Sequence, residues 1–430
     1  MGGTVPAAAK EAAPVELQGG APVVNAADIA PLSADELASI TATGSSSSGY
    51  PRLSLYGFAD FNYVKTTYDD DSLNNSFANN RGDFQVGNLN LYLDSEIAPS
   101  WRSLIEVRFT YLPNGSAARY AETPGTTNTE VADYSSFYRP TRWSGIEIQR
   151  AYVEHRFDAG IWLRAGQWLT PFGIWNVDHG SVTLIPMIAP YCIGDRLFPQ
   201  RQTGLELYGR TTTGDVALGY HFTLSNGRGP ADEFDDLDKR FGFGARGYAK
   251  FAGIGDLTLG ISGYGGRYTE RTQSIGKIGD ELGSVYTIGT QYDEITLGVD
   301  LRWEYRDVII IGEALRQQRA FTDEGRPTNP NNFSQTTLRP DGTRTGGYLL
   351  IGYHLPFWNL MPFVLGQAYQ RFPDDMSRRV DYLNAGVNLR VAPSVVLKAQ
   401  WAYVIFRDIP DFSVMRDNFQ VLSAQVAWAF

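Results

Sequence analysis

From about residue 51 to its last residue the chain alternates, apolar then polar, with a period of two. The stretch "EITLGVDLRWE" (294–304) shows the pattern in full. Ile295, Leu297, Val299, Leu301 and Trp303 share one parity; Thr296, Gly298, Asp300 and Arg302 share the other. Successive side chains of a strand point to opposite faces, so this segment reads as a strand with one wholly apolar and one polar face. "NLNLYLDSE" (88–96), "WRSLIEVRFTY" (101–111), "DVALGYHFT" (215–223) and "VLKAQWAYVI" (396–405) read the same way. The alternation predicts about sixteen strands, among them 255–267 and 290–304, joined in the order of the chain.

The connections alternate in length. "APS", "DAG", "TGD", "AGIGD", "RD", "PFWNL" and a second "APS" are tight, and the segments between them are mostly long and polar. Short turns at one rim and long loops at the other mark an outer-membrane barrel. A strand of about 10 residues tilted by about 45° spans an apolar band of about 25 Å. In hydrocarbon no sheet edge can stay open, so the sheet must close, the strand from Arg52 pairing with the one ending at Phe430. The predicted class is therefore all-β: a transmembrane antiparallel β-barrel over 51–430. A β-sandwich also alternates, but sandwich units rarely exceed about 100 residues, and this pattern runs without a domain break.

Residues 1–50 have a different texture, rich in Ala, Pro, Ser and Gly, and read as a disordered periplasmic tail with one short helix possible from Ser33. No charged-then-apolar segment opens the chain, and "MGGTVPAAAK" reads as a mature N-terminus with an added Met. A single cysteine rules out an intrachain disulfide or a multi-thiolate metal site. A net charge of -10 argues against nucleic acid as a partner. Asp178 and His179 are adjacent, diverge in an extended segment, and have no further ligands nearby, so no metal or cofactor is expected. There is no G-x-S-x-G nucleophile turn, and the chain is expected not to be an enzyme.

Three groups of residues are candidates for function. Trp101, Trp303, Trp428 and Phe430 are expected at the short-turn rim, with Tyr63 and Tyr111 at the opposite rim, as interfacial girdles. The loop "PFGIWNVDHGSVTLIPMIAPYCIGDRLFPQ" (171–200) is too apolar to be external, because it would expose a large hydrophobic patch. It is expected inside the lumen as a constriction, with Trp175, Asp178, His179, Ile185 and Asp195 its notable residues. Glu106, Arg108, Arg150, Arg164, Glu206 and Arg246 have inward parity near mid-height. They form either a charged, ion-sorting wall or mutual ion pairs that hold the wall together.

Two stretches carry a resemblance. The closing "AQVAWAF" resembles the C-terminal signal of Gram-negative outer-membrane barrels, which the barrel-assembly machinery reads. "LRAGQWLTPFGIWNVDH" (163–179) resembles a stretch of porins of the phosphate-selective type and their wider relatives, with its arginine strand, Gly-Gln-aromatic turn and Thr-Pro-Phe-Gly exit. The resemblance implies a water-filled channel in the cell outer membrane, narrowed by its third long loop and assembled as a homotrimer. Its surroundings would be the lipid bilayer and lipopolysaccharide, and its cargo small hydrophilic solutes. Phosphate selectivity does not carry over, since no dense Arg/Lys ladder is present. Rival readings are a structural barrel tethered through residues 1–50 to a periplasmic partner or peptidoglycan, an outer-membrane enzyme, and a sheath around an electron-transfer cytochrome.

Overall fold

The computed structural model describes residues 49–68, 82–112, 142–158, 160–178, 180–229, 238, 240–278, 281–328, 337–375, 378–407 and 418–430. The predicted tail lies outside these apart from Gly49 and Tyr50. The strands are β1 (Arg52–Tyr68), β2 (Asp83–Ala98), β3 (Trp101–Leu112), β4 (Arg142–Arg156), β5 (Ile161–Leu169), β6 (Arg201–Thr213), β7 (Val216–Ser225) and β8 (Gly242–Phe251). They continue as β9 (Asp256–Ile278), β10 (Glu281–Tyr305), β11 (Val308–Phe321), β12 (Gly342–Tyr353), β13 (Leu360–Gln370), β14 (Arg379–Ala392), β15 (Val395–Arg407) and β16 (Phe419–Ala429). Each pairs with its neighbours in sequence, and β1 pairs antiparallel with β16, so the sheet is a closed sixteen-stranded barrel.

The seam explains the terminal aromatic. Phe430 exchanges two backbone hydrogen bonds with Gly57, at 2.9 and 3.0 Å. A Cβ on residue 57 would come within 3.0 Å of the Phe430 ring, so only glycine lets the ring lie over the first strand. The short turns need left-handed backbone, supplied by Ser100 (φ 64°), Arg306 (φ 54°) and Gly214 (φ 59°) among others.

Burial fixes which face is outside. Ile295, Leu297 and Val299 on β10 are 59%, 59% and 54% exposed, while Thr296 and Asp300 between them are buried. The apolar parity faces outward, as a lipid-facing wall requires. Trp101, Trp428 and Phe430 are exposed at the short-turn rim. Trp303 is half-buried there, its indole N–H donating to the Ile254 carbonyl at 2.9 Å. Tyr63 sits outward at the other end against Phe84, ring centroids 5.2 Å apart. The Tyr111 side chain lies outside the described residues.

Two features depart from the reading of the sequence. First, β9 and β10 run for 23 and 25 residues, through a segment read as a loop from 268 to 289. Their polar Thr, Ser, Gln and Gly residues continue the hairpin beyond the point where β8 and β11 stop pairing with it. Second, the inner wall is not polar throughout. Ile309, Ile311 and Leu315 on β11, Leu350 on β12, and Met361, Phe363 and Leu365 on β13 point inward and are buried. The hydrophobic core therefore sits inside the barrel, between this half of the wall and the inserted loop.

Candidate functional site

The loop between β5 and β6 enters the lumen through a clamped neck. Thr170 N–H donates to the Gln200 carbonyl at 2.9 Å. The Asn176 amide donates to the carbonyls of Thr170 and Gln200 at 2.8 and 3.0 Å. Phe172 stacks on Phe198 with centroids 4.2 Å apart, so the two arms of the loop pack on each other. Beyond the neck the loop crosses to the opposite wall. Trp175 N–H donates to Glu313 at 2.8 Å and its ring meets Tyr348 edge-on. Ile185 accepts from Asn388 at 3.0 Å, and Met187 N–H donates to Gln400 at 2.8 Å. A single helical turn, α1 (Tyr191–Gly194), lays Cys192 against β12 and β13. Asp195 pairs with Arg371 at 3.1 Å, and Arg344 donates to the Asp195 carbonyl at 2.9 Å.

The burial predicted for the loop is thus met by an apolar inner wall. Trp175 and Ile185 are buried. Asp178 accepts from Thr183 at 2.8 Å within the loop. His179 lies outside the described residues. The loop lies against β9–β16 and β1; of the inward arginines Arg108, Arg150, Arg164 and Arg246, only Arg246 bonds to it among the described residues, donating to the Gly173 carbonyl.

Buried Lys398 holds the tip of the loop, donating to the carbonyls of Ser181 and Leu184 at 2.6 and 2.5 Å. Replacing it with Met removes the donor and leaves both carbonyls short of a partner. Lys398→Met is expected to raise open-channel current noise in single-channel records, with the barrel still resistant to sodium dodecyl sulfate at room temperature. Cys192 gives a direct probe of insertion. It is fully buried, and burial pushes its thiol well above the ordinary range. Maleimide labelling is expected only after unfolding; labelling of the folded protein at neutral pH would show that α1 leaves the wall.

The other half of the lumen is a charged wall. Arg102 makes a two-point contact with Asp94 at 2.8 and 2.6 Å and reaches Glu154 at 3.5 Å. Arg150 meets Glu106 at 2.6 Å. Arg164 bridges Glu154 and Glu206 at 2.8 and 2.7 Å, and Glu206 also meets His221 at 2.8 Å. Tyr208 donates to Glu154 at 2.7 Å. One continuous network therefore runs from Asp94 on β2 to His221 on β7. Arg164 lies over the rings of Tyr152 and Tyr208, at 4.0 and 4.7 Å. Arg246 pairs with Asp300 at 2.8 Å.

The pairs are layered. The carboxylate side chains of Glu106, Glu154 and Glu206 are 0%, 5% and 1% exposed, whereas Arg102, Arg150 and Arg164 are 20%, 16% and 16% exposed. Short acids lie at the base of the wall, and longer arginines cover them on the water side. Arg108 stands apart: among the described residues no carboxylate pairs with it, and its Nε is buried with no hydrogen-bond partner. The inward tyrosines Tyr56, Tyr92, Tyr152 and Tyr208 were not singled out in the sequence. Their even parity on strands already phased by Arg and Glu carries that signal.

Residues 49–176 match the family described as "Putative beta-barrel porin-2, OmpL-like", a span that contains most of the resemblance noted at 163–179. Among solved structures, the chain is similar to outer-membrane OmpT of Vibrio cholerae, with a TM-score of 0.53 and 9% identity over 90% of this chain and 99% of that one. It is also similar to the outer membrane channel DcaP of Acinetobacter baumannii, at 0.53 and 12% over 90% and 99%. A third is an anion-selective porin from Comamonas acidovorans, at 0.53 and 13% over 89% and 100%. This chain has the closed β-barrel fold of the outer-membrane porins. A further OmpT structure, described as a trimer form, matches at a TM-score of 0.50 with 10% identity over 88% and 100%. No curated protein matches the chain in sequence.

Proposed function

We propose that this barrel is a porin through which small hydrophilic solutes and ions diffuse passively, sorted by size and by the charge of one wall. The observation that carries the reading is the division of the lumen. The inserted loop fills the side of the apolar wall, and what remains is bordered by the ion-pair network of β2–β8. A wet, fixed set of charges at a constriction filters ions by local field. With the carboxylates beneath and the guanidinium groups above, a passing solute meets mainly N–H donors, and Arg108 adds positive charge. A mild preference for anions follows. His221, the inward histidine, belongs to this wall: Glu206 holds it and its ring stacks on Tyr208. The trimer form of the OmpT structure supports a homotrimer here.

Conductance in a planar bilayer under a salt gradient tests the reading. The expected result is stepwise, ohmic current with a reversal potential on the anion side. Arg108→Glu is expected to move that potential toward cations with the fold unchanged, because Arg108 makes no ion pair among the described residues. Absence of current from correctly folded barrels would refute the porin reading. An unchanged potential in Arg108→Glu would refute the role given to that residue.

A further inference from the structure

The outer face of β11–β15 carries a feature that passive diffusion does not use. Arg316, Thr345, Gln370, Arg379 and Arg407 lie directly opposite one another on five successive strands. They point outward, because the inward parity of those strands belongs to buried Leu315, Tyr369 and Val380. Arg316 is exposed, and the side chains of Arg379 and Arg407 are 47% and 56% exposed. Asp381 takes the Nε of both, at 2.9 and 2.8 Å, and so sets the two guanidinium groups side by side. Three arginines and one acid on a lipid-facing wall need a reason, since charge on that face is costly except at the interface.

The row lies in the long-loop half of its strands: Arg316 stands across from outward Leu297, and Gln370, Arg379 and Arg407 are at the loop ends of β13, β14 and β15. Below it, Trp401 stacks on Tyr403 and donates its indole N–H to Gln420 at 3.0 Å, an interfacial arrangement. Below Arg316 on the same strand, Gly312 and Ala314 leave a recess of about 440 Å³. Outward Leu259, Val299 and Leu301 also line it, as do Asp300, Glu313 and Tyr348, whose side chains are partnered in the lumen.

We propose that this sector docks a phosphorylated glycolipid of the outer leaflet, with its phosphates on the arginine row and an acyl chain in the recess. The proposal rests on the outer-membrane orientation assigned above. Arginine forks suit phosphate oxygens. Four strand spacings of about 4.8 Å spread the row over about 19 Å, more than one phosphate can bridge. A headgroup with at least two phosphates set apart by sugar rings fits that span. Thr345 and Gln370, between the arginines, offer polar partners for the sugar hydroxyls.

The test uses the full chain in detergent with bisphosphorylated lipid A, its dephosphorylated form and phosphatidylglycerol as probes, and bound lipid counted by native mass spectrometry. The variants are Arg316→Gln/Arg379→Gln/Arg407→Gln and, as control, Arg267→Gln, which removes an outward ion pair with Asp293 on another sector. The expected result is retention of bisphosphorylated lipid A by the wild type and the control, with binding about ten-fold weaker in the triple variant. Removing the phosphates is expected to weaken binding similarly. Unchanged binding in the triple variant overturns the proposal. So does equal binding of phosphatidylglycerol, which means general anionic-lipid attraction. A triple variant that loses its oligomeric state while keeping its lipid makes the sector a subunit contact and also overturns it. Conductance of the same samples separates the two readings: a barrel that binds lipid A but passes no current refutes the pore and leaves this site standing.

Discussion

Deleting Gly180–Ala189 from the inserted loop is expected to raise single-channel conductance several-fold and to lower the unfolding temperature. The two effects share one cause. This segment covers part of the apolar inner wall and supplies the carbonyls that Lys398 and Asn388 hold. Without it, water reaches the inward apolar residues around Ala402 and Val404, and the passage widens on that side. Burial of apolar side chains contributes about 1.5–3 kcal/mol each, so several uncovered residues weaken the barrel appreciably. The sheet itself keeps its full hydrogen-bonding, and the variant should still fold into bilayers. Conductance traces and the heat-shifted mobility of the folded band would measure both. A deletion that folds and conducts like the parent would mean that the loop does not bound the passage.

Replacing Arg164 with Met is expected to destabilise the barrel by about 3–5 kcal/mol, the cost of stranding buried charge. Arg164 holds Glu154 and Glu206, whose side chains are 5% and 1% exposed, and a methionine in its place still covers them but donates nothing. Arg102 retains a 3.5 Å contact with Glu154, and His221 stays on Glu206, which limits the loss. Arg164→Met/Glu206→Gln is expected to recover part of it, because the added substitution removes one of the stranded charges. Unfolding in urea from lipid vesicles would report the difference. If the single variant unfolds like the wild type, the network is a dispensable lining and the wall is held by backbone hydrogen bonds alone.

Most of the fold was legible in the sequence for a simple reason. A strand between lipid and water must alternate, and tight turns must alternate with long loops, so the strand count, the closure and the outward positions of Trp101, Trp428 and Phe430 all follow from period and turn spacing. The pattern was least informative where both neighbours of a residue are apolar. In "VIIIGEAL" (308–315) and "YLLIGY" (348–353) alternation cannot say which face is lipid and which is core, because both faces are dry. The same ambiguity hid the target of the loop at 171–200. Its apolar content showed that it must be buried, and only the folded barrel paired it with Leu350, Phe363 and Leu365.

The charges divide in the same way. Parity placed Glu106, Arg108, Arg150, Arg164, Glu206 and Arg246 on the inner wall, but left open whether they sort ions or brace one another. Strand register sets which of them meet. Glu106 falls opposite Arg150, and Arg164 falls between Glu154 and Glu206, whereas Arg108 falls opposite Glu147, which Arg201 already holds. A sequence specifies which face a side chain takes through a local period of two. Which residue it meets across the sheet depends on bulges, shear and closure, such as the register shift between Glu106 and Val107, and these belong to the whole barrel.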